Sequence, residues 1–138
     1  LYLQRQAKGS GKVDWRKIKE KDKRETIEHI YPQDDSDPYW QQRFGNFSQE
    51  QKKILLNSLG NLLLLSQSKN SQLQNRGFDF KKNNGSIGYF NGSYSEIEVA
   101  QYHEWTDKEI KDRGIKLLKF MEERWGINIP DKEKLLGF

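Results

Sequence analysis

The chain has 138 residues, of which 33% are hydrophobic, 32% charged and 12% aromatic, a composition that suits one folded domain with a modest core. No stretch approaches the roughly 18 apolar residues of a membrane helix, and the lack of cysteine excludes disulfides and cysteine-ligated zinc. The formal net charge of +4 is compatible with a polyanionic partner but is too small to identify one.

The amino-terminal segment "LYLQRQAKGSGK" starts without methionine and contains a Gly-Ser-Gly break. We therefore expect residues 1–13 to be a linker or the edge of a fragment of a longer protein. Residues 14–24 are rich in lysine and arginine, and their thin apolar stripe of Trp15 and Ile18 predicts a short surface helix. No signal peptide is visible, so the expected location is the cytoplasm. One domain is expected over residues 14–138.

The next segments predict a strand, a loop and a helix. The run "ETIEHIYP" alternates and contains β-branched residues, which favours a strand of roughly five residues ending at Pro32. The following "QDDSDP" is a solvated loop by composition. Ser48 and Gln51 form a capping-box pattern, which predicts a helix through about Ser58 that Gly60 stops.

The second half of the chain predicts a second strand and more helices. The run "NLLLL" after Gly60 favours a buried strand. A helix is expected from near Ser68 to Arg76, and residues 81–96, rich in glycine, asparagine and serine, are expected to be a loop. Thr106 begins a second capping box and a long helix to about residue 125. The predicted class is α+β, mostly helical, around a small two-strand element.

An ordered set of motifs carries a family resemblance. "EH" at 28–29 is followed by "IYPQ", "GN" at 60–61 precedes a leucine run, and Asn70 and "NRGFDFKK" come next, with "EW" at 104–105 as a looser match. The set resembles the HNH (ββα-metal) endonucleases, most of all the C-terminal nuclease domain of GmrSD-type modification-dependent restriction and phage-defence proteins. The resemblance covers about residues 25–125, with the ββα-metal core over about 25–78 and the C-terminal helix over about 106–125.

The resemblance implies a role for each motif residue. His29 is the implied general base, and Asn61 orients His29 and the site loop through hydrogen bonds. Glu28 and Asn70 are the implied metal ligands. Because adjacent residues on a strand face opposite sides, Glu28 and His29 can serve one site only if the strand end twists or both reach around a ligand. Oxygen-only ligands favour Mg²⁺, with Mn²⁺ as a possible substitute.

The implied activity is metal-dependent hydrolysis or nicking of DNA, expected to be double-stranded, by the effector domain of a prokaryotic restriction or anti-phage protein. Basic and amide side chains near the predicted site are expected to contact DNA, namely Lys69, Asn75, Arg76, Lys81 and Lys82. The site contains nothing that reads base edges, so an N-terminal sensor or NTPase-type domain of the same parent protein is the expected partner.

Each of these residues also has an ordinary structural interpretation. His29 could be a structural histidine, Glu28 could pair with a lysine, Asn61 could be a turn residue and Asn70 a helix N-cap. The basic residues could be solvated surface, and His103 is expected to be structural. The alternative functions are an HNH fold that binds nucleic acid without cutting it and a helical protein-interaction module.

Overall fold

The computed structural model describes residues 25–138, so the predicted linker at 1–13 and the predicted helix at 14–24 lie outside the described part. Within it, strand β1 spans Glu25–His29 and strand β2 spans Leu62–Ser66. The strands pair antiparallel, with Glu25 opposite Ser66 and His29 opposite Leu62. Both predicted strands are confirmed.

Strand β1 ends at His29, earlier than the predicted end at Pro32. The backbone N–H of Ile30 still donates to the carbonyl of Asn61 at 3.0 Å. At Tyr31, however, the N–H donates to the side-chain oxygen of Asn61. An amide side chain therefore replaces the backbone ladder at Tyr31, two residues after His29.

The described helices are short except for one. Their bounds are α1 Pro38–Phe44, α2 Gln49–Asn57, α3 Gln67–Leu73, α4 Phe78–Asn83, α5 Tyr94–Ala100, α6 Asp107–Trp125 and α7 Lys132–Leu135. Single 3₁₀ turns lie at Leu59–Asn61, Gly85–Ile87 and Tyr89–Asn91. The α+β, mostly helical class is confirmed. Helix α3 directly follows β2 and completes a ββα unit with the two paired strands.

The capping boxes were reliable signals. Ser48 caps α2 and Thr106 caps α6, each with the reciprocal side-chain bond, and α6 ends at Gly126 with a left-handed φ of 62°. A third capping box, Ser93 with Glu96, opens α5 inside the segment 81–96 predicted to be loop, and α4 extends into the start of that segment. The loop prediction is therefore wrong at 81–83 and from residue 94 onward. Helix α1 was also missed, although Asp37 caps it and Pro38 is its first residue.

The core is a cluster of buried aliphatic and aromatic side chains beneath the sheet, the largest of which are Trp40, Trp105, Tyr31, Tyr89, Phe44 and Phe78. Helix α6 reaches this core by a close approach to the turn before β2. A Cβ atom on Gly60 would lie 1.8 Å from the carbonyl oxygen of Ile110, so only glycine fits there. None of the helices among residues 25–138 combines the length and apolarity that a membrane crossing would need.

Candidate active site

His29 stands at the end of β1 with its side chain partly exposed. It lines a cleft of about 540 Å³ together with residues of the β1–α1 loop and of α2. Neither imidazole nitrogen has a hydrogen-bond partner among residues 25–138. An imidazole in that state can accept a proton from a water molecule in the cleft, which is what a general base must do.

Asn61 is fully buried and holds the chain just beyond His29. Its side-chain amide bonds to both backbone groups of Tyr31. It also donates to the carbonyl of Leu56 at 3.0 Å and accepts from the indole N–H of Trp105 at 3.0 Å. No bond links Asn61 to the imidazole of His29 in the described chain, so Asn61 acts on the backbone of the site loop.

Glu28 lies on the other side of β1, facing the core, as strand alternation requires. Its side chain is 2% exposed. Oε1 accepts from the ammonium of Lys81 at 3.1 Å, and Oε2 accepts from the hydroxyl of Tyr89. Both carboxylate oxygens are therefore engaged by other side chains.

Burial shifts the pKa values of Glu28, Lys81 and Tyr89. Burial raises the pKa of Glu28, an effect that the charge of Lys81 and the hydrogen bond from Tyr89 oppose. Burial likewise lowers the pKa of Lys81, with Glu28 opposing. The pKa of the Tyr89 hydroxyl rises well above its ordinary value because of burial and the neighbouring carboxylate. Both effects favour the neutral hydroxyl, the form that donates to Glu28.

Asn70 lies inside α3, and the N-cap of that helix is Ser66. The interpretation of Asn70 as an N-cap is therefore excluded. Its amide nitrogen donates to the Thr26 hydroxyl at 2.8 Å and, more weakly, to the Ile27 carbonyl at 3.4 Å. The amide oxygen has no donor from residues 25–138, and it stays available to a ligand beside β1.

These positions test the predicted magnesium site. A two-ligand site needs one oxygen each from Glu28 and Asn70 facing a common, hydrated space. Glu28 is enclosed and paired with a cation, so the carboxylate does not fit a metal in this arrangement. The part of the chain that the structure describes also contains no group of three or more His, Cys, Asp and Glu side chains that could hold an ion.

The structure corrects the DNA-contact predictions for the two lysines of α4. Lys81 is fully buried, and Lys82 is 8% exposed with its ammonium bonded to the backbone carbonyls of Tyr102 and His103. Neither ammonium can reach a phosphate from the surface. The structure therefore contradicts phosphate contact by either lysine, because Glu28 and backbone carbonyls inside the fold occupy the two ammonium groups.

The other predicted contacts have mixed placements. Lys69 forms an ion pair of 2.8 Å with Glu96, and the amide of Asn75 donates to Asp34 at 2.9 Å. Arg76 is exposed, and its guanidinium lies 5.0 Å from the ring centre of Phe80. None of the three lines the cleft of His29. His103 is exposed, and its backbone carbonyl accepts a hydrogen bond from Lys82.

Several residues of the site were not singled out by the sequence. Lys52 and Lys53 of α2 line the cleft with His29, and Asp35 pairs with Lys52 at 3.0 Å. Arg113 of α6 donates to the carbonyls of Gly60 and Leu62, which flank Asn61. The cleft lysines follow a capping box and look like any surface pair, so only the tertiary fold brings them to His29.

Comparison with known families was made at the level of sequence. The family model described as "GmrSD restriction endonucleases, C-terminal domain" matches residues 2–120, which is most of the chain. No curated protein and no solved structure matches it. The family match includes β1, β2, α3 and the cleft beside His29.

Proposed function

Because the chain belongs to the family of GmrSD restriction endonuclease C-terminal domains, we propose that it cleaves DNA with His29 as the general base. The observation that carries the proposal is the position of His29, a partly exposed imidazole without a described hydrogen-bond partner at the wall of a cleft that Lys52 and Lys53 also line.

The chemistry of the proposal is phosphodiester hydrolysis. Neutral His29 accepts a proton from water as the oxygen attacks the phosphorus in line, and the bond from phosphorus to the 3′ oxygen breaks. The departing oxygen takes up a proton, which gives a 3′ hydroxyl and a 5′ phosphate. Asn61 holds the backbone that follows His29, and cations on α2 face the negative strand.

No step of the proposed reaction is assigned to a metal ion, because Glu28 as it stands is not open to one. Dependence on Mg²⁺, with Mn²⁺ as substitute, stays a prediction that the HNH resemblance implies. The amide oxygen of Asn70, water and the substrate phosphate would be the available oxygens. A neutral amide alone holds Mg²⁺ weakly, so substrate would have to complete any such site.

The test is plasmid cleavage by the wild type, by His29→Ala and by His103→Ala, each with Mg²⁺, with Mn²⁺ and with EDTA. His103 is the matched control, since it is the other histidine of the chain and is exposed. We expect His29→Ala to lose activity by about 10²–10⁴-fold while His103→Ala stays active. Equal activity in the two variants would refute the proposal, and activity in EDTA would refute metal dependence alone.

A second candidate is a domain that binds DNA without cutting it. The enclosed carboxylate of Glu28 favours this alternative, since a carboxylate paired with Lys81 is not open to a metal ion. The same assay separates the two, because a binding domain retards DNA but leaves wild type and His29→Ala equally unable to nick it.

Recognition of modified DNA belongs, in this proposal, to an N-terminal sensor domain of the parent protein. The cleft residues named here offer charge and hydrogen bonds to a backbone and no arrangement aimed at base edges. Comparison of modified and unmodified plasmids should therefore show little preference by this chain. Strong selectivity by the chain alone would mean that the residues that recognise the modification lie within this chain.

A further inference from the structure

Lys81 is a buried cation directly behind the proposed base. Its side chain is fully buried, yet it belongs to α4, more than fifty residues after β1 in the chain. Its ammonium donates to Glu28 Oε1 at 3.1 Å, to the carbonyl of Ile30 at 2.9 Å and to the carbonyl of His29 at 3.3 Å. All of these acceptors lie on or just after β1.

This arrangement acts on the backbone at His29. The Ile30 and His29 carbonyls are fixed by Lys81, and the next residue, Tyr31, is fixed by the amide of Asn61. The chain is thus held on both sides of the point where β1 stops. Since the direction of a side chain follows from its backbone, these contacts determine where the imidazole of His29 projects.

The neighbouring lysine gives an internal comparison. Lys82 is also buried, also belongs to α4 and also donates to backbone carbonyls. Those carbonyls, however, are the ones of Tyr102 and His103. No hydrogen bond or ion pair joins it to β1 among the described residues. The two adjacent lysines therefore differ in which segment they hold and in that only Lys81 has a carboxylate partner.

We propose that Lys81 is a positioning residue for His29: its ammonium, kept in place by Glu28, fixes the His29 and Ile30 carbonyls and so aims the imidazole into the cleft. In this arrangement Glu28 is the counter-ion that keeps a cation behind the strand. The inference rests on the proposed function of His29 as a base.

Energetics support a role beyond stability. Exchanging a buried ion pair for apolar side chains is often neutral or stabilising, so stability alone does not explain Lys81 and Glu28. Removing only one partner, in contrast, leaves an uncompensated charge in the core. The test must therefore replace Lys81 and Glu28 together as well as Lys81 alone.

The experiment compares Lys81→Met with Lys82→Met in the plasmid assay, below the melting temperature that circular dichroism gives for each variant. We expect Lys81→Met to lower kcat by an amount on the order of 10²-fold at unchanged KM, because the base is misplaced and the cleft is not. Lys82→Met should keep kcat, and Lys81→Arg should recover part of the rate. Equal kcat in folded Lys81→Met and Lys82→Met would overturn the inference.

The double variant Glu28→Gln with Lys81→Met keeps the inference testable if Lys81→Met folds poorly. It removes both buried charges, so it should melt above Lys81→Met and remain as slow. A wild-type kcat in the double variant would mean that Lys81 only neutralises Glu28, which refutes positioning. His29→Ala is run alongside: activity in that variant defeats the proposed function, whereas its inactivity beside an active Lys81→Met defeats only the role of Lys81.

Discussion

The side-chain amide of Asn61 completes both backbone hydrogen bonds of Tyr31, accepting from its N–H at 2.8 Å and donating to its carbonyl at 2.9 Å. An amide side chain presents the same donor and acceptor as a peptide group, so Asn61 stands in for the partner residue that a longer strand would provide. The bridge holds the segment that leaves the sheet immediately after His29.

Asn61→Ala should therefore destabilise the domain strongly. The substitution leaves the Tyr31 backbone groups and the Trp105 indole N–H without their partner in the core, and each unsatisfied buried group costs about 1–3 kcal/mol. We expect the free energy of unfolding, measured by urea denaturation, to fall by at least roughly 2 kcal/mol. Asn75→Ala, which removes an exposed bond to Asp34, is the control with a small effect. A similar loss of unfolding free energy in the two variants would contradict this role of the hydrogen bonds between Asn61 and Tyr31.

Glu28→Gln distinguishes a counter-ion from a metal ligand. As a counter-ion, Glu28 offsets the charge of buried Lys81, so the variant should lower the melting temperature. The Mg²⁺ concentration that gives half-maximal cleavage should not change. Asn70→Ala, which removes the open amide oxygen, should raise that concentration if the ion contacts Asn70. A shift caused by Glu28→Gln and not by Asn70→Ala would restore Glu28 as the ligand.

Lys53→Gln tests the cleft as the DNA-binding surface. Lys53 is exposed and no carboxylate in the described chain pairs with it, whereas Lys52 is paired with Asp35. If Lys53 contacts one phosphate, its loss should reduce the slope of log affinity against log salt by roughly one. Titrations of a labelled duplex at several salt concentrations measure this. Lys119→Gln, an exposed lysine of α6 outside the cleft lining, should leave the slope unchanged.

Local signals in the sequence were enough for much of the fold. Capping boxes located α2 and α6, the apolar run located β2, and alternation located β1. These features depend on residues within a few positions of one another. The same signal at Ser93 and Glu96 would have located α5, and Asp37 with Pro38 would have located α1. The physical cue for both helices is therefore present in the sequence.

The burial of Lys81 could not be predicted in the same way. Nothing in "FDFKKN" separates an inward lysine from a solvated one, and its partner Glu28 lies 53 positions earlier. They are neighbours only because the fold brings the Lys81 side chain, from α4, to the core side of β1. The same holds for Lys52 and Lys53, which join His29 through the fold and not through spacing. Long-range charge pairing is the part of this site that the sequence does not reveal.

Asp35 should make the stability of the domain depend on acid pH. Burial alone would raise its pKa, but the hydrogen bonds from Tyr31 and Lys52 outweigh that effect and hold the pKa below the ordinary value of 3.8. A carboxyl with a lowered folded-state pKa contributes stability that is present above the unfolded pKa and is lost as pH falls through the folded-state value. The free energy of unfolding of the wild type should thus exceed that of Asp35→Asn near neutral pH.

Urea denaturation of both proteins across the acid range measures the difference, which should shrink as Asp35 becomes protonated in the folded wild type. Tyr31→Phe removes one hydrogen bond and keeps the buried ring, so it should move the Asp35 titration, followed by carboxyl NMR, toward the ordinary value. A stability difference that stays constant through the acid range would show that the bonds from Tyr31 and Lys52 do not favour the ionised carboxylate. The part of the cleft wall around Asp35 would then be held by packing and not by charge.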